Sequence, residues 1–124
     1  GTASIVFLHR CTLHFNQAHG SVAEEGARIR ISECNFKNNG RSGVCSCDPE
    51  SSATMTRSVV SQSCQGLYVV NGGSAEARES LLEFNERSGV TVQDPGSRLL
   101  MHNCQMVRNV TGASSTGWGV IEML

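Results

Sequence analysis

Aromatic residues are scarce in this chain of 124 residues: one tryptophan, one tyrosine and four phenylalanines, 5% in all. A core of large interlocking rings is thereby excluded, and small side chains must fill the interior. Proline occurs twice, so no Pro-rich linker divides the chain. Neither charge sign is in excess: 10 basic and 11 acidic residues leave a net charge of −1. That balance removes the basic footprint expected of a protein that binds nucleic acid or an anionic membrane. No apolar run approaches the roughly 20 residues of a membrane span. The opening stretch GTASIVFLHRC lacks the basic lead, long apolar segment and small-residue cleavage site of a secretory signal.

What the chain has instead is glycine, cysteine and a period. Glycines recur at Gly20, Gly43, Gly66 and Gly89, at a constant spacing of 23 residues. A short alternating run follows each: Ser21-Val22-Ala23, Val44-Cys45-Ser46, Leu67-Tyr68-Val69 and Val90-Thr91-Val92. Period-two alternation over a few residues predicts a short strand. Turn-forming residues come next, as in Asp48-Pro49, Asn71-Gly72-Gly73 and Asp94-Pro95-Gly96.

A second stretch then aligns in columns, if one-residue loop adjustments are allowed. Val6, Ile29, Ala53, Ala75 and Leu99 form one, and Leu8, Ile31, Met55, Ala77 and Met101 another. Cys11, Cys34, Ser58, Ser80 and Cys104 form a third, and Leu13, Phe36, Val60, Leu82 and Met106 a fourth. Asn16, Asn39, Ser63, Asn85 and Asn109 complete the set. Only the last coil departs, where Val110 to Thr116 reads as a loop insertion before Gly117-Trp118-Gly119-Val120.

Columns that keep their chemical type predict an all-β, right-handed parallel β-helix. It would have about five coils of ~23 residues, each with three short strands. Coils stacked at the ~4.8 Å strand spacing would place equivalent residues directly above one another. Asparagine would suit a left-handed turn position and bond to its neighbours in the stack. Glycine would serve where a side chain clashes or φ is positive. The apolar spacing of helical repeats and the signature of leucine-rich repeats are both absent.

The pattern resembles the parallel β-helix repeats of the pectate-lyase-like superfamily, most clearly in Ala75-Glu76-Ala77, Ser80, Leu82, Asn85 and Gly89-Val90-Thr91-Val92. The resemblance implies the fold over nearly the whole chain. It does not choose a function, because the repeat serves enzymes, adhesins and intracellular scaffolds. The frequent cysteines make the intracellular group the nearer analogy, including the β-helix regions of certain F-box and spindle-associated proteins.

The lyases of that superfamily hold Ca²⁺ on clustered carboxylates, and hard Ca²⁺ needs several oxygen ligands together. Asp48 and Asp94 would lie two coils apart, roughly 10 Å, too far for one ion. The Asn-Thr-Asp, Asp-Asp and Gly-His-Gly motifs of the related hydrolases are missing. The outward face after the glycine column carries Val22 and Glu24, Cys45 and Cys47, Tyr68 and Val70, Thr91 and Gln93. One carboxylate does not make a general acid and base pair. The expectation is therefore no enzyme, no catalytic residue, no cofactor and no metal. Cys45 and Cys47 lack companions to complete a zinc site. Cys11 and Cys34 suit a buried thiol ladder better than a disulfide, their Cβ atoms lying farther apart than the preferred ~3.8 Å. Asn109-Val110-Thr111 is a formal glycosylation sequon whose asparagine belongs to the inward column. The four histidines read as solvated.

The reading that follows is a non-catalytic scaffold that presents rigid outer strand faces to a protein partner. Tyr68, Val70, Cys45, Cys47, Thr91 and Phe84 are its candidate contact residues. The asparagine, glycine and cysteine columns are structural. The alternative is a carbohydrate-binding or carbohydrate-active β-helix whose catalytic residues lie outside this segment. Residues 1–124 read as a single segment, expected to continue into a longer chain or to be capped by a partner, with end-to-end self-association as another way of covering the ends. Six cysteines without a secretory signal point to a reducing, cytoplasmic compartment.

Overall fold

In a computed structural model of the protein, residues 4–124 are described. Their strands form three parallel sheets wrapped around one narrow interior. The first sheet stacks β1 (Ile5–His9), β4 (Arg28–Ser32), β7 (Ser52–Thr56), β10 (Ser74–Arg78), β13 (Arg98–His102) and β16 (Val120–Met123). The second stacks β2 (Thr12–His14), β5 (Asn35–Lys37), β8 (Val59–Ser61), β11 (Leu81–Glu83) and β14 (Gln105–Val107). The third stacks β3 (His19–Ala23), β6 (Ser42–Cys47), β9 (Gln65–Val70), β12 (Ser88–Gln93) and β15 (Thr111–Thr116). Each coil contributes one strand to each sheet, and β16 begins a sixth level. No helix occurs among the described residues, so none of them forms a helix long and apolar enough to cross a membrane.

The pairing registers reproduce the sequence columns. Val6 pairs with Ile29, Ile29 with Ala53, Ala53 with Ala75 and Ala75 with Leu99. Leu13, Phe36, Val60, Leu82 and Met106 likewise stand one above another. Phe36, Val60 and Leu82 are completely buried, and with Ile31, Met55, Leu67 and Val90 they fill the tube. Short β-branched and aliphatic groups suffice because the three sheets converge closely, which reconciles a continuous core with so few rings.

The turn between the first and second sheets shows why cysteine and serine alternate in one column. Each such residue follows a non-glycine residue in the left-handed region: Arg10, Glu33, Arg57, Glu79 or Asn103. The Cys34 Sγ accepts from the Cys11 N–H, the Ser58 Oγ from Cys34 N–H, and the Ser80 Oγ from Ser58 N–H. Each thiol or hydroxyl also donates to the carbonyl two residues back, as Ser58 does to Thr56 and Cys104 to His102. A small side chain that both donates and accepts is required at this turn, and all six cysteines are free thiols.

At the next turn the left-handed residue is not the asparagine but the one before it: Phe15, Asn38, Gln62, Phe84 and Arg108 have φ of 54–59°. Asn39 and Asn85 are buried, Asn109 is half-buried, and Asn16, in the first coil, is exposed, yet all four are hydrogen-bonded within one column. Asn16 Nδ2 donates to Asn39 Oδ1 at 2.8 Å, and Asn85 Nδ2 to Asn109 Oδ1 at 2.9 Å. Asn109 Nδ2 donates to the Leu82 carbonyl, so the sequon asparagine is committed to the interior.

The expected insertion at Val110 to Thr116 does not exist. Thr111–Thr116 is β15, which pairs with β12 from Ser88↔Thr111 to Gln93↔Thr116. Gly112 therefore extends the glycine column by one more interval of 23. Its flanking Thr-Gly-Ala-Ser-Ser run lacks the large apolar residues by which the other coils announce the strand.

At Gly20, Gly43, Gly66 and Gly89 glycine is demanded by crowding, not by φ, whereas a Cβ at Gly112 would meet nothing within 4 Å. A Cβ at Gly20 would stand 2.5 Å from the Gly43 carbonyl oxygen, and one at Gly66 would stand 2.3 Å from that of Gly89. None of these glycines has positive φ.

Candidate functional site

The outer face of the third sheet forms a groove of about 690 Å³ along the solenoid. Alternation on β3, β6, β9 and β12 aims one column outward: Val22 pairs with Cys45, Cys45 with Tyr68, and Tyr68 with Thr91. Cys47 pairs with Val70 beside it. Cys45, Cys47, Tyr68 and Val70 all line the groove. Thr91 is buried, with its hydroxyl bonded to that of Ser88, and does not line it. Phe84 lies at the turn after the second sheet, outside the groove, 45% exposed with the Arg108 guanidinium 5.6 Å from its ring centre.

The groove is polarised across its width. Arg41 and Arg87 line it just before β6 and β12, on the same side as Gln65. Both are exposed, and neither makes an ion pair among the described residues. Glu24 lines it after β3, and Asp48 stands beyond Cys47 at the opposite edge. The Asp48 carboxylate accepts from the backbone N–H of Glu25, from Asn71 Nδ2 and from the Cys47 thiol, which hold its pKa below the ordinary value.

Titration behaviour follows this layout. Burial pushes the Cys45 thiol up to about 12, with Cys47, Glu24 and Asp48 adding to the effect. Cys47 is raised too, by burial first and then by its hydrogen bond to Asp48. Neither sulfur has the lowered pKa of a nucleophilic thiol. Burial also raises the Tyr68 phenol, with Arg41 opposing. His19, bonded to the Ser42 hydroxyl, is held below the ordinary histidine value by burial and then by Arg41. Among the described residues no three His, Cys, Asp or Glu side chains converge as a metal set would require.

Sequence reasoning found the floor of this groove but missed its arginines. A signal for them exists. Asn39-Gly40-Arg41-Ser42-Gly43-Val44 and Asn85-Glu86-Arg87-Ser88-Gly89-Val90 share five of six residues at a distance of 46. Two coils thus form a longer repeat that places the arginines in equivalent settings. The backbone N–H of Arg41 donates to Ala18 O, and that of Arg87 to Cys64 O.

No curated protein and no solved structure matches the chain. The family model described as "right handed beta helix region" matches residues 1–123. With three parallel sheets in register among the described residues, the chain belongs to the right-handed β-helix family.

Proposed function

We propose that the protein is a non-catalytic scaffold whose third sheet presents a rigid face to a protein partner in a reducing compartment. The observation that carries this reading is the groove floor. Tyr68 and Val70, both half-buried, stand beside the buried Cys45, and Glu24 is the one carboxylate that lines the groove. An aromatic anchor on an in-register sheet offers contact area at little entropic cost, because the main chain beneath is already fixed. Thiols with raised pKa suit packing better than chemistry.

The test places a photo-crosslinking residue at Tyr68 and, as a control, at Leu81 on the second sheet. The purified protein is also incubated with oligogalacturonates and neutral oligosaccharides in the presence of Ca²⁺. The proposal expects a discrete protein adduct from position 68, none from position 81, and no glycan cleavage. Cleavage, or glycan binding abolished by Tyr68→Ala, would replace it with the carbohydrate reading.

A further inference from the structure

The arginine pair deepens that reading, on which this inference rests, by specifying the partner's chemistry. Arg41 belongs to the second coil, Tyr68 to the third and Arg87 to the fourth. The two equivalent arginine positions are therefore two parallel strand spacings apart, roughly 9.6 Å along the axis. On the coil between them the in-register place belongs to Cys64, followed by Gln65, which begins the strand between their own, and both line the groove. Tyr68 lies on the same coil four residues after Cys64, roughly 13 Å across the groove.

We propose that this groove binds an extended acidic peptide in the polyproline II conformation, with carboxylate side chains three residues apart. A polyproline II chain has three residues per turn and rises about 3.1 Å per residue. Side chains at i and i+3 thus share a face roughly 9.3 Å apart, which matches the arginine interval. An extended β-strand carries same-face side chains roughly 6.6 Å or 13 Å apart and matches neither one interval nor the other.

Tyr68 supplies the aromatic surface on which such helices pack, and the Gln65 amide suits their unpaired backbone carbonyls. The charge layout sets the orientation. Acidic side chains face Arg41 and Arg87, while the uncharged side of the peptide faces Glu24 and Asp48. A polyuronate carries a carboxylate on every ring around its axis, and some would be forced against that acidic edge. The groove's own cation pair is unneutralised, so a partner's carboxylates would meet guanidinium groups with free donors.

The test is fluorescence anisotropy with three labelled peptides: a Glu-Pro-Pro repeat, a Glu-Pro repeat of equal charge, and a Gln-Pro-Pro repeat. The Glu-Pro-Pro peptide is expected to bind at least tenfold tighter than the other two and to weaken as salt is raised. Arg41→Ala and Arg87→Ala should each weaken it about tenfold, while Arg98→Ala, at an exposed arginine that begins a strand of the first sheet, should not. Equal binding of both acidic spacings, indifference to the two arginine variants, or no binding of any peptide would overturn the proposal. If the peptides fail while position 68 still crosslinks a protein, the peptide chemistry falls and the scaffold reading survives. If oligogalacturonate is bound and cut instead, both fall.

Discussion

Replacing Gly66 by alanine isolates the close stacking of coils from every other source of stability. A Cβ there would lie 2.3 Å from the Gly89 carbonyl oxygen and 2.7 Å from Leu82 Cδ2. The closest ordinary carbon–oxygen contact is about 3.3 Å, so β9 and β12 must separate by roughly 1 Å, and Leu82 must give way as well. Leu82 is fully buried and has nowhere to go. Overpacking of this kind costs roughly 1–3 kcal/mol, and a backbone oxygen as the obstacle puts the expectation near the upper end. Against this stands a gain of about 0.4–1 kcal/mol from a stiffer unfolded chain, available because φ at Gly66 is not positive. The net expectation is a loss of about 2 kcal/mol. Gly112 occupies the same column with nothing within 4 Å of an added Cβ, so Gly112→Ala keeps only the gain. Urea unfolding followed by far-ultraviolet circular dichroism would read both. Equal shifts of the two variants, or an unchanged midpoint for Gly66→Ala at constant slope, would refute the stacking argument.

Three further expectations follow from the interior and the groove. Asn85→Ala removes the acceptor of the Ser63 N–H and the donor to Val60 O; leaving buried groups unpaired should cost about 1–3 kcal/mol in the same assay. His19 should titrate below a histidine of the unfolded chain in two-dimensional NMR. Because the fold favours its neutral form, its contribution to stability is whole above pH 6.5 and is lost as pH falls through the lowered folded value. His19→Gln should accordingly blunt the acid sensitivity in that window. Cys45, its thiol pushed up to about 12, should resist iodoacetamide at pH 7.5 until the protein is unfolded, as peptide mapping of the alkylated chain would show.

The fold was legible in the sequence because stacking at one fixed spacing writes itself as a period. The inward columns through Ile29, Phe36 and Met55 keep their type, since each residue touches its own equivalents above and below. Where the large apolar residues stop, the signal stops too. Thr111 to Thr116 stands on a regular rung whose small polar residues look like a loop. The left-handed turns were misplaced by one residue because Phe15, Phe84 and Arg108 carry no propensity for that conformation. The asparagine that follows each ties the turn to a neighbouring coil through its amide, and Asn85 does so on both sides. The groove floor could be read from strand alternation, which fixes that Tyr68 points outward. Its arginines could not, because they precede their strands, where alternation says nothing, and because their repeat spans 46 residues, twice the coil. The match at a distance of 46 is their one sequence signal, and the strand registers show that the two arginines stand in line.

The claim that the third sheet is the recognition face is tested most directly by amide chemical-shift mapping during titration with the Glu-Pro-Pro peptide. The account predicts coordinated shifts at Arg41, Gln65, Tyr68 and Arg87, with Glu76 on the first sheet and Leu81 on the second unmoved. Shifts centred on either of those sheets, with the Tyr68 amide unchanged, would contradict it.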